Sequence, residues 1–188
     1  MNDEPRTPSR TAVIVIAYPF IVLLIGAAMN LFVFGVNPTV IALPTTEIMA
    51  CLVISAALLV INHSWLMTTT ASTRSRFGIH STPEEWARSN TSQEDAPAEG
   101  LREVERRLNA HRNATENTIY FVFLAPIFVV VSPPLLAVQI WTIGFAVSRL
   151  GYTYSYLCGK DGLRGIFMSL GLLATYGMVS YLLAGLVV

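Results

Sequence analysis

A cluster of charged and amide side chains comes directly before an apolar segment that is too short to cross a membrane alone. Arg112, Asn113 and Glu116 precede the run Thr118–Val131, which has 14 residues. At about 1.5 Å per residue that run makes a helix of about 21 Å, whereas a bilayer core needs about 30 Å. Polar turns must therefore lie at membrane depth, where ionisable groups are costly and usually line a functional site.

The spacing of these side chains predicts one polar face on a helix. Arg112 and Glu116 are four residues apart, which puts them in register to pair. Two later segments carry similar side chains at similar spacing, and the residues are Arg149, Tyr152 or Thr153, Tyr156 and Arg164. The sequence therefore places candidate ligand-binding groups on three different helices.

The charges of this set do not balance. Three arginines stand against one carboxylate, that of Glu116, so pairing among themselves leaves positive charge unmatched. A small molecule with two carboxylates and one ammonium fits this set. Arginines would bind the carboxylates, Glu116 the ammonium, and tyrosine hydroxyls the peptide groups. A network that only fixes helix packing is the alternative that the residues leave open.

Long apolar segments must position these groups. Hydrophobic residues make up 53% of the chain and charged residues 13%, and the mean hydropathy is +0.55, which indicates a membrane protein rather than a soluble domain. Length and absence of charge predict an all-α integral membrane protein with five spans. They are Thr11–Val36, Ile48–Met67, a third that ends at Val131, Leu135–Leu157 and Gly165–Val188.

Basic residues alternate between the two sides of these spans. Lys and Arg occur before span one, in the loop before span three and in the turn before span five, whereas the loops Asn37–Glu47 and Ser132–Pro134 contain none. The positive-inside rule then predicts a cytoplasmic N-terminus and a site that opens to the cytoplasm. The membrane is expected to be a bacterial inner membrane or the endoplasmic reticulum. A cleaved signal peptide is the alternative interpretation of the first segment.

Other classes of site leave no signature in the sequence. It has no CxxC pair, no HExxH motif and no phosphate-binding loop, and Cys51 and Cys158 are its only cysteines. We therefore expect no metal and no nucleic acid. The expected partners are membrane lipid and a lipophilic small molecule.

Three stretches together resemble one family. VERRLNAHRNATEN, SRLGYTYSYL and the basic turn that ends in Arg164 are similar to the membrane-associated proteins in eicosanoid and glutathione metabolism, the MAPEG family. The microsomal glutathione transferases and microsomal prostaglandin E synthases resemble the chain most. The resemblance covers residues 47–188, as a four-helix domain with a cytoplasmic loop at 68–103. Residues 1–10 are then a cytoplasmic tail, and 11–36 an extra N-terminal transmembrane helix.

The resemblance implies a homotrimer that holds glutathione, as cosubstrate, between neighbouring subunits. It makes Arg164 the catalytic residue, an arginine that faces the thiol and stabilises its thiolate. The glutathione-binding residues that it implies are Arg112, Asn113, Glu116, Arg149, Tyr152, Tyr156 and Ser169. The expected function is a glutathione-dependent membrane transferase acting on a lipophilic electrophile by conjugation, peroxide reduction or isomerisation. Apolar faces of spans two and five would receive that electrophile.

The chain departs from the family pattern at three places. Tyr152 stands where close relatives have histidine, and Gly165 stands where prostaglandin synthase has a serine, so we do not expect prostaglandin synthesis. The first span has no counterpart, and either packs at the periphery of the trimer or blocks the entrance from the lipid. A non-catalytic lipid-binding scaffold of the same fold is the alternative function, and a different thiol is an alternative cosubstrate.

Overall fold

The computed structural model describes residues 10–188, with side chains from residue 12. The predicted tail 1–10 lies outside that range except for Arg10. The described residues form helices and short turns without a strand, and five helices are long and apolar enough to cross a membrane. The prediction of an all-α membrane protein with five spans is thus confirmed.

The described residues form six helices of two turns or more and one short 3-10 turn at Gln93–Asp95. The six helices are α1 (Arg10–Met29, continued by a π-helical turn, Asn30–Phe34), α2 (Thr46–Phe77), α3 (Pro83–Ser89), α4 (Ala98–Val130), α5 (Leu135–Leu157, with a π-helical segment at Gln139–Ile143) and α6 (Asp161–Gly185). All except the short α3 are the candidate membrane spans.

Helices α2 and α4 both extend into the segment predicted as a loop. The prediction of a loop over 68–103 is wrong for 68–77 and for 98–103, which are helical. In α2 the hydroxyls of Thr68, Thr69 and Thr70 donate to carbonyls one turn back, at 2.7 to 2.8 Å. These side chains therefore find their hydrogen-bond partners within the helix. Gly78, at φ 63°, then ends it. The apolar segment of a helix indicates which residues lie within the membrane. It does not show where the helix ends, because a helix can continue beyond the bilayer.

The first helix packs along α6 of its own chain. The two helices run parallel, since Tyr18 contacts Ser169 and, eight residues further along both helices, Gly26 contacts Gly177. Asn30, fully buried, donates to the Gly177 carbonyl (2.7 Å) and the Ser180 hydroxyl (2.9 Å), and accepts a bond from the Trp141 indole (2.9 Å). This helix is therefore a fixed part of the bundle that covers one face of α6.

Close backbone approach at Gly26 gives the first prediction. A Cβ on Gly26 would lie 3.1 Å from the Gly177 Cα, which is backbone and has no rotamer to change. Gly26→Leu should therefore separate α1 from α6 and lower stability by about 1–3 kcal/mol. Ala28→Leu, at an exposed position of the same helix, should have little effect. Thermal unfolding of both variants in detergent measures the difference, and equal melting temperatures would contradict the packing described.

Segments without lysine or arginine gather at one end of the bundle. The Thr39 N–H donates to the Gly185 carbonyl at 3.1 Å, and the Ala42 N–H to the Val130 carbonyl at 2.9 Å. The first loop, the end of α4 and the end of α6 therefore lie together. The basic segments lie at the opposite helix ends, as the predicted orientation requires, and that orientation in the membrane stays a prediction.

Aromatic packing fills the half of the bundle nearer the uncharged end. Phe121 stacks on Phe145 with ring centroids 4.4 Å apart, and Phe128 meets the edge of Tyr181 at 5.2 Å. The other half contains a smaller apolar cluster of Leu66, Ala110 and Ala114, against which Tyr156 packs. Some of the polar side chains of α4, α5 and α6 face one another in that half, and others lie on the outer faces of these helices.

Candidate functional site

Arg149, on α5, is a buried cation without an acidic partner. Its side chain is 1% exposed, and within the described residues no carboxylate oxygen lies within 4.0 Å of it. Its Nη1 donates to Asn113 Oδ1 at 3.4 Å and its Nη2 to the Phe167 carbonyl at 3.3 Å, whereas its Nε has no partner. A Cβ on Gly171 would overlap the guanidinium, so glycine makes room for it. A buried cation without an opposite charge is costly, which makes Arg149 a candidate site for an anionic ligand.

Two tyrosines connect Arg149 to Arg164. The Arg149 guanidinium lies 5.2 Å from the centre of the Tyr152 ring, and that ring lies 5.7 Å from the ring of Tyr156. The Arg164 guanidinium lies 5.1 Å from the centre of the Tyr156 ring. These four side chains, which we call the tyrosine ladder, thus run from a buried cation to one at the helix ends, within cation–π distance at both ends.

Arg164 stands at an open cavity of about 460 Å³ between the starts of α4 and α6. The side chain is 40% exposed, and its Nη1 lies 3.2 Å from Asp161 Oδ1. The cavity is lined by Arg102, Glu105, Arg106, Asn109, Tyr156, Gly159, Asp161 and Arg164. The sequence-based charge count left out Asp161, although its spacing of three from Arg164 indicates this pair. It also did not include Arg106 and Arg102, which lie about two and three turns before Asn113 on α4.

Arg112 and Glu116 lie on a different side of α4. Both are exposed, and they do not pair, since the Arg112 guanidinium bonds to Asn109 Oδ1 instead. They line a shallow groove of about 310 Å³ with Leu108, His111 and Thr115. The pairing that their spacing suggested is absent from the described chain because a nearer amide competes for the arginine. Only Asn113 of the three predicted α4 residues contacts Arg149.

Ser169 also lies apart from the tyrosine ladder. Its hydroxyl accepts a bond from the Tyr18 hydroxyl at 2.5 Å and donates to the Gly165 carbonyl at 2.8 Å. Successive residues of a helix are about 100° apart, so Ser169 lies nearly opposite Gly171, which faces Arg149. Within one chain the structure thus brings together Asn113, Arg149, Tyr152, Tyr156 and Arg164 and leaves Arg112, Glu116 and Ser169 outside.

An apolar groove of about 490 Å³ separates α2 from α4. Its polar end holds His63 and His111, whose ring nitrogens are 3.2 Å apart, and Asn62, which is 3% exposed and whose Oδ1 has no partner. The sequence pattern did not predict this groove, although His63 lies in the predicted second span. Among the described residues, no group of three or more His, Cys, Asp or Glu side chains is placed to hold a metal ion.

Comparison with known proteins gives one family match. The family model described as MAPEG family matches residues 52–184, well over half of the chain. The match begins within α2 and ends within α6, so it includes every residue of the tyrosine ladder and excludes α1. No curated protein matches the chain.

Proposed function

The chain belongs to the MAPEG family, and from this premise we propose that it is a glutathione-dependent membrane transferase. The family includes glutathione-dependent transferases and non-catalytic members. One observation carries the choice of a transferase: Arg149 is buried without a carboxylate and keeps an unbonded Nε. An ion pair within the chain would remove the cost of this buried charge, and in its absence an anionic ligand can do so.

The charges of glutathione fit the groups on α4, α5 and α6. Arg149, with Asn113 beside it, binds one carboxylate, and Arg112 binds the other. Glu116 binds the ammonium, and the hydroxyls of Tyr152 and Tyr156 bond to the peptide groups. Arg164, at the other end of the tyrosine ladder from Arg149, is left for the thiolate.

Exposed polar groups at membrane depth support a neighbouring copy of the chain, and the family resemblance makes that assembly a homotrimer. Arg112, Glu116 and Tyr120 are exposed on the described chain, and Tyr120 is 66% exposed, within a helix that is a candidate span. Groups of this kind are costly against lipid. A neighbouring copy that covers this face of α4 removes that cost and adds Arg112 and Glu116 to a site between subunits.

Arg164 activates the thiol by charge. A free thiol has a pKa near 8.5, and a fixed cation beside it favours the reactive thiolate. Tyr156 holds the guanidinium from one side, and Asp161 limits how positive the site becomes. The thiol proton leaves to solvent through the open cavity. The sulfur then forms a bond to an electrophilic carbon or peroxide oxygen, whose leaving group departs with the bonding electrons.

The electrophile reaches this sulfur from the bilayer. Apolar faces of spans two and five were expected to receive it, but α1 covers one face of α6, the fifth span. The groove between α2 and α4 stays open, and its exposed apolar side chains include Val60, Val122 and Phe123. That groove adjoins the Arg112 and Glu116 groove, because His111 and Thr115 line both.

Thermal unfolding with and without glutathione tests this function. We expect saturable stabilisation of the detergent-purified protein and a lower affinity in Arg112→Ala by about tenfold or more, since one charged hydrogen bond is worth about 1.5–3 kcal/mol. Arg76→Ala, an exposed residue of α2, is the control. No stabilisation by glutathione would contradict the proposal, and stabilisation by a related thiol alone would replace the cosubstrate.

A non-catalytic lipid-binding scaffold is the second candidate function. The groove between α2 and α4 supports it, because an apolar channel with one buried, unbonded Asn62 oxygen suits a chain with a polar head. Stabilisation by a fatty acid, with none by any thiol and no conjugation of a generic aromatic electrophile, would favour the scaffold. Conjugation that requires glutathione would favour the transferase.

A further inference from the structure

The helix outside the family match contacts the helix that carries Arg164. We propose that α1 positions the first turns of α6, and that Tyr18 is the positioning residue through which it acts. The inference rests on the proposed function for its consequence, the acidity of the thiol, but the contact itself is independent of any ligand.

The first turns of α6 are intrinsically weak. Gly162 and Gly165 lie on either side of Arg164, and each glycine in a helix costs about 1 kcal/mol relative to alanine. A Cβ at either glycine would meet nothing within 4 Å, so close packing does not explain them. The helix begins at Asp161, and its N-cap residue, Lys160, provides no side-chain cap. This segment must therefore be held by contacts that its side chains make.

Tyr18 supplies such a contact from outside. Its hydroxyl lies 2.5 Å from Ser169 Oγ, which in turn donates to the Gly165 carbonyl at 2.8 Å. Two hydrogen bonds in series polarise each other, so the bond from Tyr18 strengthens the bond to Gly165. Gly165 is the residue directly after Arg164. The chain of contacts thus runs from α1 to the backbone of the catalytic turn.

The anchor of α1 is distant from this turn, so α1 is held on the bundle by contacts other than that of Tyr18. Gly26 and Asn30, two and three turns beyond Tyr18, hold the helix against Gly177 and Trp141. On its other side the Arg164 guanidinium lies over the Tyr156 ring and beside Asp161. Tyr18 therefore fixes the catalytic turn to the bundle from the face opposite the tyrosine ladder.

Amide hydrogen exchange tests the contact without any thiol. In Tyr18→Phe, exchange over residues 161–169 should become about 3- to 10-fold faster, the effect of one lost hydrogen bond on local opening, while residues 174–185 stay unchanged. Tyr176→Phe is the control, because Tyr176 is a half-buried tyrosine of α6 itself. Ser169→Ala, which removes both bonds, should speed exchange at least as much as Tyr18→Phe, and adding Tyr18→Phe to Ser169→Ala should change little. Unchanged exchange in Tyr18→Phe would overturn the inference.

Ultraviolet titration of the bound thiolate tests the consequence. Tyr18→Phe should raise the pH at which half the bound glutathione is thiolate, with glutathione affinity within about twofold of wild type. An unchanged midpoint would overturn the positioning role even if exchange changed. If wild type itself binds no glutathione, the proposed function fails, and the exchange result still decides whether Tyr18 holds the turn.

Discussion

Arg149→Met is expected to abolish stabilisation by glutathione while leaving the free protein as stable as wild type or more stable. Arg149 is 1% exposed and has no carboxylate partner, so its charge costs free energy until a ligand balances it. Methionine fills a similar volume without that charge, and such replacements are often neutral or stabilising by about 1–4 kcal/mol. Losing one side of a buried charge pair costs about 2–5 kcal/mol of binding, a fall in affinity of about 30-fold or more.

The opposite directions of these two effects separate a binding site from a packing network. Melting temperatures of wild type and Arg149→Met, each with and without glutathione, give both quantities, and Arg88→Met on exposed α3 is the control. If Arg149 only fixes helix packing, its loss lowers the melting temperature of the free protein and leaves any glutathione effect intact. That result would contradict the site proposed here.

Arg164→Gln and Asp161→Asn are expected to move the pKa of the bound thiol in opposite directions. Removing the Arg164 cation returns that pKa towards the value of a free thiol, near 8.5, so thiolate at neutral pH falls. Removing the Asp161 carboxylate, 3.2 Å from Arg164, makes the site more positive and lowers the pKa of the thiol, so thiolate appears at lower pH. Turnover at neutral pH in Arg164→Gln should fall by about 10²–10³-fold.

Thiolate absorbance of the glutathione complex, followed against pH, measures both variants. Arg102→Gln, in the same cavity but on α4, controls for a general loss of positive charge and should shift the midpoint less. Equal shifts in Arg102→Gln and Arg164→Gln would mean that the cavity's overall potential acts on the thiol, rather than one fixed guanidinium. A downward shift in Arg164→Gln would rule Arg164 out as the stabilising cation.

The family and the membrane fold were both predictable from the sequence. Hydropathy is a property of composition along the chain, and five apolar segments predict five spans whatever their packing. The three motifs around Arg112, Arg149 and Arg164 lie within the segment that the family model matches. Helix ends were less predictable, because α2 continues to Phe77 through threonines that bond to their own helix.

The environment of each polar residue was not predictable from spacing. Spacing of four placed Arg112 beside Glu116, yet Arg112 bonds to Asn109, because two neighbours on one helix face compete and the nearer geometry wins. The charge count treated Arg164 as unpaired and did not include Asp161. Such outcomes depend on side-chain conformation, which the order of residues alone does not fix.

The sequence by itself determined that arginines lie in membrane helices beside too few acids, since charge and hydropathy are read directly from residue types. Only the tertiary structure decided which of those arginines lacks a partner, that Tyr152 and Tyr156 connect Arg149 to Arg164, and that α1 packs on α6 through Tyr18, Gly26 and Asn30. These contacts join residues up to about 150 positions apart, as Tyr18 and Ser169 are. Their free energies depend on distance and burial in the packed bundle, and neither exists until the helices meet.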